Sequence, residues 1–233
     1  MGLSFTPILK SEPVLIPGNN HALQLIFEND TEYDKQLFCT LCSPDGLCLS
    51  KNHFDVLVPA EGRSIEEIAI TIPENLRIFY ESYFFVLETT DAVLEEDKHF
   101  AFFLKCALPW KYTTQSDTEE NKIYMSGSHI FSCNSVKFSP SQTLVTYLAC
   151  SYDASVDILL NSTEKISIFL NSTFLGCFKG IKQLTLNLIH GINTICIQSN
   201  ENITSLTAEF IQNNDYIPAC INPDYIKPGR TEI

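Results

Sequence analysis

Alternation constrains this chain more than any other feature. "HALQLIFEN" places Ala22, Gln24 and Ile26 on one side and Leu23, Leu25 and Phe27 on the other. A period of two is the signature of a strand. "KQLFCTLCS", "FDVLVPA", "SIEEIAITIP", "YFFVLETT" and "HFAFFLKCAL" follow, separated by the turn clusters "PGNN", "ENDTEYD", "SPDG", "AEG" and "PEN". Short strands at this spacing predict an antiparallel β-sandwich.

The pattern stops at "PWKYTTQSDTEENK" (109–122), which is polar and without apolar periodicity, and reads as a linker. A second series then begins, including "IYMSGSHIFS", "SVKFS", "TLVTYLACSY", "VDILLNS", "KISIFLN", "STFLGCF", "QLTLNLIHG", "NTICIQSN" and "SLTAEFIQ". The one helical candidate is "LEEDKHF". The tail "NDYIPACINPDYIKPGRTEI" carries three prolines and reads as a strap or the start of a further connection. The expected organisation is all-β: one sandwich over 1–108, a linker over 109–121, a second sandwich over 122–213 and a Pro-rich tail over 214–233.

Hydrophobic residues make up 45% of the 233 and charged residues 18%, which suits a sizeable core. The formal net charge of −13 and the lack of a basic stripe argue against nucleic acid and anionic membrane as partners. No apolar run approaches the roughly 20 residues of a membrane helix. The N-terminus has no basic start followed by an apolar core, so it does not read as a signal peptide. Its M-G-x-x-x-T shape is taken as incidental rather than as a lipidation signal.

Nine cysteines, mostly inside apolar runs, suggest thiols packed as small hydrophobes rather than an even disulfide framework. That favours the cytoplasm, with secretion the alternative. The sequons at Asn29, Asn161, Asn171 and Asn202 carry little weight, because about 2.6 are expected by chance from 16 Asn and 38 Ser plus Thr.

"CTLCSPDGLCLSKNH" (39–53) spaces three cysteines and a histidine as C-x2-C-x5-C-x4-H. A zinc knuckle folds its backbone tightly so that four ligands converge. A strand instead sends Cys39 and Cys42 to opposite faces. A redox C-x-x-C is expected in a βαβ setting, which is missing here. The reading adopted is a β-hairpin, with "SPDG" as a type I turn and "LCLS" as the returning strand. No metal site and no cofactor are expected.

Residues 12–104, through "LIPGNN", "ENDTEYD", "SPDGLCLS", "VPAEG" and "ITIP", resemble the immunoglobulin-like accessory domains of bacterial enzymes. The stretch "SQTLVTYLACSYDASVDILLNSTEKISIFLNSTFLGCFKGIKQLTLNLIHGINTICIQSNEN" is similar to galactose-binding-like jelly rolls. Such jelly rolls occur in glycoside hydrolases, rhamnosidases among them, and in some ADP-ribosylglycohydrolases. The resemblance is carried by Tyr147, Leu148, Leu170, Asn171, Gly176, Gly191, Asn193, Ile195 and Ile197. Ser172 departs from it, standing where the family has Gly, which puts a tight turn with positive φ in question.

Catalytic patterns are missing. His21, His53, His99, His129 and His190 are not at metal-ligand spacing, and Ser128 beside His129 would point away from it. His190 reads as a solvated loop residue. Glu95, Glu96 and Asp97, and Glu119 with Glu120, read as solvated loops rather than a glycosidase pair. No G-x-S-x-G or phosphate-binding fingerprint is present. The best ligand candidates are Tyr152 and Asp153 on a loop, with Trp110 as an aromatic platform or, more readily, a packing anchor between the domains. The expected function is a non-catalytic accessory region of a larger glycosidase-like enzyme, its partner an adjoining catalytic domain. A carbohydrate-binding module and an enzyme with a scattered active site are the alternatives.

Overall fold

The structure is a computed structural model that describes residues 2–10, 12–94, 96–113, 121–126, 129–132, 142–201, 205–211 and 218–226. Apart from one 3-10 turn, its regular elements are strands, and every strand pairing is antiparallel. The fold is all-β, as the alternation predicts. The residues form two compact units, Met1–Glu74 with Ser82–Lys105, and Asn75–Glu81 with Cys106–Ile233. The chain therefore passes between the units three times, at 74/75, 81/82 and 105/106.

Unit 1 contains β1 (Leu3–Leu9), β2 (Asn20–Asn29), β3 (Lys35–Cys42), β4 (Cys48–Leu49), β5 (His53–Val58) and β6 (Arg63–Thr71). The next strand, β7 (Ile78–Tyr80), belongs to unit 2, and unit 1 resumes with β8 (Ser82–Asp91) and β9 (Asp97–Lys105). Its sheets run β1-β2-β6-β4 and β5-β3-β8-β9. Alternation explains what they bury. Leu23, Leu25 and Phe27 of β2 and Ile68 and Ile70 of β6 point inward, as do Leu37 and Leu41 of β3 and Phe85 and Leu87 of β8. Each such side chain contributes about 1.5–3 kcal/mol by leaving water.

Two expectations for this unit are corrected. Residues 97–100 of the helical candidate lie in β9, whose inward face carries Phe102 and Leu104. The expected "SPDG" hairpin does not form either. β3 pairs with β5 and β8, while Cys48 and Leu49 of β4 cross to β6 in the other sheet. Unlike the primed turns, type I turns do not match the twist of a two-stranded ribbon. Here one residue of the turn, Gly46, takes a positive φ of 89°. Cys39 and Cys42 do lie on opposite faces of β3, one buried and one exposed.

One buried ion pair ties this sandwich. Lys35 Nζ lies 2.8 Å from Asp91 Oδ2, and Asp91 Oδ1 also accepts from the Val93 and Leu94 N–H groups at 3.0 and 3.2 Å. Burial alone pushes the Asp91 carboxyl up, but Lys35 and the two amides together hold it below its ordinary value.

Unit 2 adds β10 (Leu108–Thr113), β11 (Asn121–Ser126), β12 (His129–Ser132), β13 (Gln142–Cys150), β14 (Ala154–Leu170), β15 (Thr173–Leu188), β16 (Gly191–Ser199), β17 (Leu206–Ile211) and β18 (Ala219–Ile221). The order β12-β11-β10-β13-β16-β14-β15 is one continuous hydrogen-bonded path. The first half of β14 pairs with β17 and its second half with β16, while β15 follows it along both halves. The change of partner falls at a register shift between Ser162 and Ile166, where an irregularity lets a strand bend. Segments that read as separate strands in the sequence are thus two halves of long ones.

The supposed linker is corrected over 109–113, where β10 pairs with β11 and β13; residues 114–120 lie outside the described residues. "SVKFS" also lies outside them. The tail is likewise built in over 218–226. β18 joins β13 to β7, the Asn222 side chain donates to the Leu76 carbonyl at 2.9 Å, and the Tyr225 hydroxyl donates to the Asn75 carbonyl at 2.8 Å. Residues 214–217 and 227–233 are not described.

The β14–β15 turn resolves the question raised by Ser172. Asn171 and Ser172 have φ of 48° and 69°, the two positive values of a type I′ turn. The turn is held from outside. Asn171 Oδ1 accepts from Thr194 N–H at 2.8 Å, and its Nδ2 donates to Asn193 Oδ1 at 2.9 Å. Asn193, fully buried, also accepts from Ile189 N–H and donates to the Ile189 carbonyl. A non-glycine residue in this conformation costs about 1–2 kcal/mol.

Ser172→Gly is therefore expected to stabilise the protein by about 0.5–1 kcal/mol, part of the relieved strain being offset by the greater unfolded-state freedom of glycine. Urea unfolding checks this; a destabilised variant would mean that the Ser172 side chain contributes something beyond strain. In unit 1, Asp91→Asn leaves Lys35 buried without its anion and is expected to cost about 3 kcal/mol at neutral pH. Because the folded-state pKa of Asp91 is depressed, its contribution is present above about pH 4 and is lost as pH falls through the folded value. The gap between wild type and variant in unfolding measurements should close in strong acid.

Candidate functional site

The loops at one end of unit 2 bring together the predicted ligand residues. Cys150 pairs with Gly191, and Ala154 pairs with Leu188. The 151–153 and 189–190 connections therefore lie side by side. Asp153 Oδ1 accepts from the His190 backbone N–H at 2.7 Å and ties them. Tyr152 is 50% exposed and Ile189 56%.

Below this rim, register alone defines an outward face on β15-β14-β17. Asn187 lies opposite Ser155, then Thr185 opposite Asp157 opposite Ile211, then Gln183 opposite Leu159 opposite Glu209. The polar members are cross-bonded. Ser155 Oγ donates to Asn187 Oδ1 at 3.0 Å, Thr185 Oγ1 to Asp157 Oδ1 at 2.6 Å, and Gln183 Nε2 to Asp157 Oδ2 at 2.9 Å. The result is a fixed ladder of hydroxyl, amide and carboxylate groups on rigid strands, with one exposed tyrosine at its end. Such groups hydrogen-bond a neutral polyol, and the ring can stack on an apolar sugar face.

The structure brings Tyr152 and Asp153 to this rim but not Trp110. Trp110 is fully buried on β10 and stacks on Phe210 of β17, centroids 6.2 Å apart and planes 9° from parallel. β10 and β17 are not hydrogen-bonded neighbours, so this contact is made across the layers of unit 2. Trp110 is thus corrected from ligand platform to core residue of unit 2. Its Nε1–H is buried with no hydrogen-bond partner among the described residues. The ladder residues Ser155, Asp157, Gln183, Thr185 and Asn187 escaped the sequence reading. Their signal was present, since Gln183, Thr185 and Asn187 alternate with Leu184, Leu186 and Leu188.

The thiols and histidines offer less. Burial, with Asp55 and Glu66 adding to it, pushes Cys39 up to about 12; burial likewise raises Cys220 to about 12 despite its contact with the Thr146 hydroxyl. Such thiols are inert packing groups. His53 contacts Thr40 on the outward face of β3-β5, at 3.0 Å. Among the described residues, no three His, Cys, Asp or Glu side chains group as metal ligands. Glu95, Glu119, Glu120, Ser128 and the sequon at Asn202 lie outside the described residues, as does the side chain of His129.

Unit 1 holds a cleft of about 1090 Å³, lined among others by Glu28, Asp30, Glu61, Arg63 and Lys98. Three acids and two bases define no one ligand chemistry, whereas the ladder residues are hydrogen-bonded to one another in a fixed pattern.

No family model matches the sequence, and no curated protein matches it. Among solved structures the chain is similar to the secreted serine protease VesC from Vibrio cholerae, with 11% identity over 94% of this chain and 49% of that one, TM-score 0.33. It is also similar to native α2-macroglobulin from Escherichia coli, spanning domain MG7 to the C-terminus, with 15% identity over 69% and 24%, TM-score 0.37. A protein of unknown function from Porphyromonas gingivalis W83 shows 12% identity over 86% and 84%, TM-score 0.37. The chain spans about half the length of the first of these and about a quarter of the second.

Trp110→Ala is expected to cost about 3–5 kcal/mol of stability. Trp110→Phe should cost far less, because a ring still faces Phe210 and the unpartnered N–H is gone. Thermal unfolding of both variants checks this. Equal losses would mean that the indole N–H has a partner.

Proposed function

We propose that this chain acts by holding rather than by chemistry of its own. It is a non-catalytic accessory region that positions a larger glycosidase-like enzyme of which it forms a part. The observation behind this reading is the ladder itself. Asp153 and Asp157, the carboxylates nearest the predicted site, are each occupied in ordering a neighbour, through His190 N–H and through Gln183 and Thr185. They are placed as fixed acceptors, not as a pair flanking a scissile bond. The strand order of unit 1 supports the immunoglobulin-like assignment, with β1-β2-β6 facing β5-β3-β8-β9. The Asn171–Asn193 bond supports the galactose-binding-like assignment of unit 2, since it joins two residues that carry that resemblance. A cytoplasmic location goes with the inert buried thiols, and Asn29, whose sequon lies in unit 1, is only 3% exposed.

The ladder and Tyr152 favour a second reading, a carbohydrate-binding module for neutral glycans. One exposed site with a few hydrogen bonds retains modest affinity after ordering costs, with Kd on the order of 0.1–1 mM. Tyr152→Ala is then expected to weaken binding by about 1–2 kcal/mol and to leave Tm nearly unchanged, because an exposed ring buries little area. Glycan arrays with the whole chain separate the readings. Binding lost with Tyr152 supports the module; no binding to a broad neutral panel leaves the positioning role; turnover of any glycoside would refute both.

A further inference from the structure

The ladder on β15-β14-β17 is a regular platform rather than a pocket. The register of β14 with β15 is unbroken from Ala154–Leu188 to Ser162–Gly180, and the three rows of the ladder stand within that run. Successive rows on one face are about 6.8 Å apart, so the first and third lie about 14 Å apart, and the Tyr152 rim adds one further position. The polar column on β15 stops after Gln183, because the next outward residue is Ile181. The platform has two sides. Asn187, Thr185 and Gln183 make a polar edge on β15, while the half-buried Leu159 of β14 and the 37% exposed Ile211 of β17 are apolar. The cross-bonds within the ladder leave capacity facing solvent. Asn187 uses its Oδ1 to accept from Ser155, and Gln183 uses its Nε2 to donate to Asp157. The Asn187 amide donors and the Gln183 Oε1 acceptor have no partner among the described residues. The rows carry two carboxylates, Asp157 and Glu209, and no Lys or Arg.

We propose that this platform binds an internal stretch of a linear, neutral, extended glycan, a β-1,4-linked chain of about four rings laid along the strands, rather than a single sugar or a chain end. The inference rests on the glycan-binding reading of this face. A pyranose ring has an apolar face and a rim of hydroxyls. The apolar faces meet Tyr152 at one end and Leu159 and Ile211 along the sheet. A hydroxyl both donates and accepts, so hydroxyls along one edge of the chain can meet the Asn187 donors, the Thr185 oxygen and the Gln183 acceptor in turn. A ribbon-like chain keeps that edge toward every row, whereas a coiled α-1,4-linked chain turns away after its first rings. Asp157 and Glu209, with no cation beside them on these rows, repel acidic sugars. Chain length is the discriminating property. A ligand held only by Tyr152 and Asp153 gains nothing from further rings, whereas rows at fixed spacing add contacts until the platform is filled.

The test is calorimetry on the whole chain with cello-, xylo- and manno-oligosaccharides of two, four and six rings, and with the malto series as the coiled control. In the series that binds best, the tetrasaccharide is expected to bind at least tenfold tighter than the disaccharide, and the hexasaccharide within twofold of the tetrasaccharide. Maltohexaose should bind at least fivefold more weakly than that hexasaccharide. Gln183→Ala, at the end of the ladder away from Tyr152, should cut the advantage of four rings over two at least threefold with Tm retained. Equal affinity for two and four rings, or maltohexaose as the tightest ligand, would overturn the inference while leaving glycan binding itself in place. Failure of every series to bind would overturn the glycan-binding reading and this inference with it.

Discussion

The double pairing of β14 is the constraint on which unit 2 depends. One strand serves β17 in its first half and β16 in its second, with β15 alongside throughout. This keeps the two layers in one hydrogen-bonded network. It also fixes where each inward residue lies: Val156, Ile158 and Leu160 in the first half, Ile166, Ile168 and Leu170 in the second, all buried. A one-residue slip would exchange every inward and outward side chain. The β14–β15 turn pins that register, and the buried Asn193 amide pins the turn. A hydrogen-bonded buried amide is costly to leave unpaired, which makes it a sharp specifier of one register.

The candidate site follows from the same constraint. Once Val156, Ile158 and Leu160 face the core, Ser155, Asp157 and Leu159 must face out. Register then sets Asn187, Thr185 and Gln183 beside them. The ladder needs no loop to shape it, and only its rim, Tyr152 and Asp153, is built from a connection. Rigid strands hold polar groups more precisely than loops do, which suits a surface that recognises a ligand by a fixed pattern of donors and acceptors.

Alternation made most of the strands legible, because a half-buried strand writes its period directly into the sequence. Partnership was less legible. Nothing local to "LCLS" says that β4 crosses to the other sheet, and "PWKYTT" reads as polar although Trp110 fills the core of unit 2. A short strand buried on both faces has no period to detect. β7 and β18 are three residues each; β18 is held by β13 and β7, and β7 by β18, rather than by a pattern of its own. Ser172 is the instructive case. Sequence put the turn in question because glycine is the easy residue there, and the surrounding hydrogen bonds override that local preference.

The proposed place for a neutral glycan to meet this chain is the outward face of β15-β14-β17, with its Tyr152 rim. Amide chemical-shift mapping during titration with a set of neutral oligosaccharides tests it most directly. The account predicts saturable shifts confined to Tyr152, Asp153, Ser155, Asp157, Gln183, Thr185 and Asn187. Saturable shifts confined instead to the unit 1 cleft around Arg63 and Lys98 would contradict it.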